Sequence, residues 1–239
     1  MDKSEKLEFV RKVFWPKAKM NLWFELVEHF TQPQFGILEI GSGSGKGLQN
    51  QLYPNAANIY GLDLDERVLR NPHLNQAFNI SAYDIKEKFE DVKFDIIYSH
   101  MVAEHISDAN RFISTQLDCL KDSGTLIHST VSKYYWTSLL NYIFPVSLKN
   151  WLIRKLGSGR EADDIFPAYY ELNSEKQIRK VCKNLHAYHK VIRQDEPPGY
   201  LRRSLILMFI YTMIHKPLGI IFPALRPTFI FLVSKEPFT

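Results

Sequence analysis

The stretch Phe35-Gly36-Ile37-Leu38-Glu39-Ile40-Gly41-Ser42-Gly43-Ser44-Gly45-Lys46-Gly47 narrows what this chain can fold into more than any other segment. Its apolar first half reads as a short buried strand, and the glycines break that strand into a tight turn ahead of a helix. Glycine removes the Cβ that would hinder both a positive φ and the close approach of a ligand. The helix that follows aims free N–H groups at the same spot. The arrangement is that of a loop for an adenosine cofactor, and spacing separates the varieties. A phosphate loop needs Gly-x-x-x-x-Gly-Lys-Ser/Thr, but Ile40 stands five before Gly45 and Gly47 follows Lys46. A dinucleotide fingerprint needs Gly-x-Gly-x-x-Gly, whereas these glycines fall at 41, 43 and 45 and the acid Glu39 lies in the strand itself.

Four further segments follow in order. Asn58–Asp63 reads as a second strand ending in an acid, and Phe78–Asp84 as a third strand with another. Phe94–His100 reads as a fourth, followed by Val102-Ala103-Glu104-His105-Ile106, and then comes Leu120–Ile127, which is similar to the helix end, turn and fifth strand of the family these segments resemble. Taken together, residues 35 to 130 resemble the class I S-adenosylmethionine-dependent methyltransferases, whose first motif is Glu/Asp-x-Gly-x-Gly-x-Gly. Residues 102–106 are similar to the Leu-Glu-His segment of that family's broad small-molecule branch. The resemblance implies S-adenosyl-L-methionine as cofactor, with contacts from Glu39, Gly41, Ser42, Gly43, Gly45, Asp63, Leu64, Asp84, Ile85, Ser99 and His100. Within that set it implies that Asp63 accepts the ribose hydroxyls and that Asp84 holds the adenine amino group.

Strands alternating with helical patterns from Phe35 to Thr130 call for parallel strands and crossovers. The fold expected is α/β, a doubly wound, mostly parallel seven-stranded sheet of Rossmann-like type, with Glu39, Asp63, Asp84 and Ser99 at the strand ends where such sheets bind ligands. At 239 residues and 45% hydrophobic, the chain suits one domain with insertions. Its parts are expected to be N-terminal helices over 1–34, a cofactor core over 35–130, a helical insertion over 131–171 and an apolar basic insertion over 197–226. Asn173 to Gln177 reads as a helix start, Tyr188–Gln194 as a sixth strand, and Pro227–Lys235 fits the seventh that the resemblance implies. In the first insertion, helical spacing breaks at Pro145, giving a short helix pair. Trp15 and Trp23 read as core.

Charge gives the insertions meaning. Residues 131–160 hold Lys133, Lys149, Arg154, Lys155 and Arg160, and residues 197–235 hold Arg202, Arg203, Lys216, Arg226 and Lys235; neither segment has an acid. The chain as a whole is only +4. Basic residues beside apolar runs at Leu205–Ile214 and Leu218–Phe222 suit either an anionic membrane surface or a lid over the pocket, and both readings stand. No apolar run reaches the roughly 18 residues of a spanning helix. Nucleic acid is not expected as a partner, because the charges are diluted by Leu, Ile and Phe. The charged opening from Met1 to Lys17 does not read as a secretory leader, so the expected location is cytoplasmic or at a membrane surface.

Methyl transfer asks a site to align the acceptor, exclude water and take up a proton. His105 is the candidate catalytic base, since it follows the fourth strand and imidazole titrates near neutrality; a structural histidine is the competing reading. Tyr134, Tyr135, Tyr169 and Tyr170 stand at the edges of the first insertion as acceptor-lining or packing residues. Asp163 and Asp164 lack metal-ligand spacing, and no metal is expected. Cys119 and Cys182 sit in apolar patterns without redox spacing and read as buried free thiols. The expected activity is methyl transfer to a small-molecule or lipid-linked acceptor, such as a quinone precursor, a lipid or a lipid-linked glycan. A nicotinamide-dependent oxidoreductase and a non-catalytic cofactor-binding module that docks a partner are the alternatives.

Overall fold

The computed structural model describes residues 22–45, 58–143, 167–194 and 205–238. In chain order the elements are α1 (Leu22–Phe30), β1 (Gly36–Ile40), β2 (Asn58–Asp63), a 3₁₀ turn (Glu66–Arg70), β3 (Gln76–Asn79), α2 (Ile85–Lys88) and β4 (Phe94–His100). There follow a 3₁₀ turn (Ala103–His105), α3 (Ala109–Cys119), β5 (Leu120–Val131), α4 (Trp136–Ile143), α5 (Glu175–Asn184), β6 (Tyr188–Gln194), α6 (Leu205–Ile221), a 3₁₀ turn (Pro223–Leu225) and β7 (Thr228–Ser234). One seven-stranded sheet runs in the order β3-β2-β1-β4-β5-β7-β6. The β3·β2, β2·β1, β1·β4 and β4·β5 pairs are parallel, as the alternating strand and helix pattern requires. The chain divides into two compact units, one of residues 21–130, 168–192 and 230–239, the other of 1–20, 131–167 and 193–229.

The first unit holds most of the sheet. Strands covered on both faces need apolar residues throughout, and Ile37, Leu38, Ile96, Ile97 and Ile127 are almost completely buried. α1 lays Trp23, Phe24 and Val27 on this surface, with Trp23 edge-on to Tyr98 at 5.4 Å. Trp23 is therefore core, as read from its pattern; Trp15 lies outside the described residues. Two helices start where short polar side chains cap them. Asp108 accepts the Arg111 N–H to open α3, and Ser174 accepts the Gln177 N–H to open α5. Cys119 and Cys182 are buried and free, and burial pushes the Cys182 thiol up to about 11.

Three boundaries differ from the sequence reading. The third strand is Gln76–Asn79 and not Phe78–Asp84, because β2 ends at Asp63, paired with Asn79, and offers nothing to pair beyond it. Asp84 consequently sits five residues past the strand, at the N-cap of α2. The expected turn at Asp122–Gly124 lies inside β5, where the register against β4 jumps from Phe94↔Leu120 to Ile96↔Thr125 and the extra residues are taken up as a bulge. The two apolar runs of the last insertion form one helix, α6, which continues through Pro217. α4 supplies the first helix of the other insertion, whereas its expected partner beyond Pro145 lies outside the described residues.

One buried group makes the sheet acid-sensitive. His128 in β5 is wholly inaccessible, lies between Phe112 and Phe231 at ring separations of 5.5 and 5.0 Å, and shares a 2.8 Å hydrogen bond with Ser99 through Nδ1. Burial pushes its pKa down to about 3, and pushes that of the half-buried His100 down to about 4. Above pH about 6.5 the His128 ring is neutral in both folded and unfolded chains, so it carries no penalty. As pH falls from there toward 3, only the unfolded chain takes the proton, and stability drops by up to about 1.4 kcal/mol per pH unit. Denaturant midpoints are expected to fall steadily from pH 6.5 to 4.5, and to fall less steeply in His128→Gln. Parallel profiles for the two proteins would remove His128 as the source.

Candidate cofactor site

The site is built at the carboxyl ends of β1, β2 and β4, all in the sheet unit. Gly41, Gly43 and Gly45 all take positive φ, at 78°, 50° and 74°, a conformation that only glycine adopts without strain. Crowding adds to this at Gly41, where a Cβ would overlap the Val102 side chain. At Gly43 a Cβ would meet nothing within 4 Å, so open space lies beside the turn. The Gly41 and Ser42 amides donate to Leu62 O at 2.8 and 3.2 Å, and Ser42 Oγ donates to Glu39 O at 3.0 Å. Asn71 clamps the loop from the side, donating through Nδ2 to Ser42 O at 3.1 Å and Gly43 O at 3.3 Å. Lys46, Gly47 and the expected helix behind the loop lie outside the described residues.

Asp63 is aimed at this turn. Its Oδ2 accepts the Gly43 N–H at 2.9 Å and its Oδ1 the Asp65 N–H at 2.9 Å. A carboxylate has about four acceptor sites, so two remain for a ligand's hydroxyls. Next to it Leu64 is 67% exposed, an uncovered apolar side chain beside a free rim. Glu39 is buried in β1.

Other expected contacts divide by orientation. Ser99 is fully buried with its hydroxyl taken up by His128, and the Ile85 side chain is fully buried in the core. A ligand at these two expected positions would meet main chain, and at Ile85 the first amide of α2 has no acceptor within the helix. Asp84 pairs loosely with Arg111 at 3.4 Å on the surface. Tyr83 fastens this loop, since its hydroxyl accepts the Ser107 and Asp108 amides at 3.0 and 2.9 Å. His100 packs its ring against Trp23 at 4.8 Å and bonds through Nδ1 to Ser129 Oγ at 2.6 Å.

His105 closes the 3₁₀ turn after β4, half-buried, with its amide bonded to Val102 O at 2.9 Å. Met101, just before that turn, is held at φ 55°, a conformation uncommon for a residue with a Cβ. What holds the turn is a buried polar chain. Asn173 Nδ2 donates to Thr130 Oγ1 at 2.8 Å, Thr130 donates to the Glu104 carboxylate at 2.8 Å, and the Tyr169 and Tyr170 amides donate to Glu104 O at 2.8 and 3.2 Å. Sequence reading passed over Asn71, Tyr83 and this chain. Glu104 stood beside His105 in the quoted segment, but nothing in the sequence pointed to Thr130 or Asn173 as its partners. Tyr135 and Tyr170 are buried while Tyr134 and Tyr169 are exposed, so the first pair packs and the second is free to meet ligands.

The glycine cradle, the acid at the end of β2 and the exposed Leu64 fit an adenosine-type cofactor: open space at Gly43, spare acceptors on Asp63 and an uncovered apolar surface for a base. A family model described as a methyltransferase domain matches residues 15–169, well over half the chain. Among curated proteins, the ubiquinone biosynthesis O-methyltransferase of Pelagibacter ubique is 26% identical over 128 residues, covering 52% of this chain and 51% of that protein. That of Bartonella tribocorum is 23% identical over 176 residues, covering 71% and 59%. The chain thus spans about half the length of the curated relatives it matches. Among solved structures, an S-adenosylmethionine-dependent methyltransferase from Listeria monocytogenes superposes with a TM-score of 0.57 at 14% identity over 90% of this chain and 96% of that one. The phosphoethanolamine N-methyltransferase 2 of Haemonchus contortus gives 0.54 at 14%, over 96% and 56%. These structures share the strand-and-helix fold described above, and with the family match over residues 15–169 the chain belongs to the methyltransferase domain family.

Proposed function

We propose that this chain is an S-adenosylmethionine-dependent methyltransferase that methylates a hydroxyl on a lipophilic acceptor, of the kind represented by a quinone precursor or another lipid presented at a membrane. The observation that carries the cofactor half is the pairing of the positive-φ glycine loop with the Asp63 carboxylate, which orders the loop and keeps acceptors for two hydroxyls. When bound, S-adenosylmethionine supplies a methyl group on a sulfonium, an already activated donor. Asp63 would hold its ribose side, Leu64 and the Ile85 amide its base. His105 would take the acceptor's hydroxyl proton at a ring nitrogen, with Glu104 and Asn173 fixing the turn that carries it.

The lipophilic half rests on the helical unit and on the curated relatives, which are named for ubiquinone biosynthesis. An apolar depression of about 410 Å³ is lined there by Tyr134, Phe222, Ala224 and Leu225, a surface that offers an acyl or prenyl tail contact but no polar partner. Incubation with methyl-labelled cofactor and a total lipid extract is expected to move label into the organic phase. Cofactor binding with no transfer to lipid or to water-soluble extract would instead make the chain a binding module. Equal affinity for NAD would remove the cofactor assignment.

A further inference from the structure

α6 is built inside out. Among its described residues it buries Met208, Thr212, His215 and Gly219, spaced 4, 3 and 4 apart on one stripe, and two of the four are polar. Each of the two makes a hydrogen bond within its own unit. Thr212 Oγ1 donates to Met208 O at 2.7 Å, and His215 Nε2 bonds to Leu225 O at 3.1 Å. The His215 ring stacks on Tyr211 at 4.6 Å and meets Tyr135 edge-on at 5.4 Å. The opposite face presents Phe209, Ile210, Met213, Ile214, Ile220 and Ile221, each between 48% and 65% exposed. Rotating the helix to hide these residues would expose the polar stripe and break the bond from His215 to Leu225 O, so the apolar face is held outward. A contiguous exposed patch of this kind marks an interaction surface.

Charge selects the partner. The described residues of this unit include Lys133, Arg193, Lys216 and Arg226 and no carboxylate at all. The Arg226 guanidinium caps the last turns of α6, donating to Gly219 O at 3.1 Å. An apolar helix face with cations and no carboxylate among the described residues of its unit complements anionic headgroups over an acyl layer. Trp136 and Tyr134, 42% and 40% exposed in the same unit, are the aromatic types that settle at a headgroup boundary. Seventeen residues rise roughly 25 Å at about 1.5 Å each, short of a hydrocarbon core of about 30 Å. No described helix is long and apolar enough to cross a membrane. We infer that α6 is an in-plane anchor whose Phe209–Ile210–Met213–Ile214 face enters one leaflet of an anionic bilayer. This deepens the lipophilic-acceptor reading by naming the surface from which such an acceptor is reached, and its test does not depend on turnover.

The test is flotation of the full chain with vesicles of phosphatidylcholine alone and of equal parts phosphatidylcholine and phosphatidylglycerol. Binding is expected to the mixed vesicles at low salt, to weaken at high salt, and to be poor to the neutral ones. Phe209→Glu, Ile210→Glu and Ile214→Glu should each lower the partition coefficient by about tenfold or more, since each removes one buried apolar side chain and adds an anion. Val92→Glu, an equally apolar-to-acidic change in the sheet unit, should leave it unchanged. The variants alter exposed positions, and unchanged circular dichroism and cofactor affinity would show that they fold. Failure to float with either vesicle, or undiminished binding by all three variants, overturns the anchor. So does concentration-dependent self-association that the same three variants abolish, because a second copy then covers the face. Vesicle binding without methyl transfer to lipid would leave the anchor standing and remove the acceptor proposal.

Discussion

Alanine at position 105 is expected to lower turnover by roughly 10²–10⁴-fold, the range for loss of a general base, while cofactor affinity stays nearly unchanged. The expectation rests on where the fold holds the ring. His105 ends the 3₁₀ turn that leaves β4, and the turn is fixed by Glu104 through Thr130 and Asn173 and by two amides on its carbonyl. A residue that merely filled space would not need such a clamp. Single-turnover methylation of an identified acceptor, with calorimetric titration of the cofactor in parallel, separates the two readings. Turnover within a few-fold of the unmodified chain would make His105 structural.

The second large effect is expected at Asp63. Asp63→Ala should weaken S-adenosylmethionine by about 1.5–3 kcal/mol for each charge-assisted bond lost to the ligand, or roughly 10- to 100-fold. The same carboxylate holds the Gly43 and Asp65 amides, so the loop itself loses an anchor. Asp63→Asn keeps the size but loses the charge and sets an amide against the Gly43 N–H unless its oxygen takes that place. It should therefore bind better than the alanine variant and worse than the unmodified chain. Calorimetry with the cofactor and its demethylated product measures both, and an unaltered affinity in Asp63→Ala would end the assignment of this acid to the ribose.

Much of the frame was legible before the structure. The fourth strand, Phe94–His100, falls where its apolar run placed it, because a run flanked by polar turns leaves little freedom at either end, and the sixth, Tyr188–Gln194, falls where it was expected after the helix opened near Ser174. The third strand was not, since an edge strand lasts only as long as its neighbour pairs with it. The glycine loop and Asp63 were legible because a positive φ without a Cβ and an acid at a strand end are local requirements. The side-chain directions at Ser99 and Ile85 were not legible, for the complementary reason. Which way a side chain turns from a strand end or a helix start depends on what packs behind it, and behind Ser99 stands His128, 29 residues away.

What the sequence determined by itself, then, is the loop, its acid and the alternating strands and helices, all written in residue types whose backbone preferences act within a few positions. Only the tertiary structure decided the clamp on His105 and the facing of α6. Glu104 and Thr130 are 26 residues apart, and Thr130 and Asn173 are 43 apart. They meet because β5 runs parallel beside β4 and the start of α5 returns to it. α6 is apolar on nearly every side, so a 3.6-residue period has almost no contrast to reveal. Its orientation is set instead by His215, which bonds to Leu225 O beyond the helix, with the isoleucines and Phe209 left facing out.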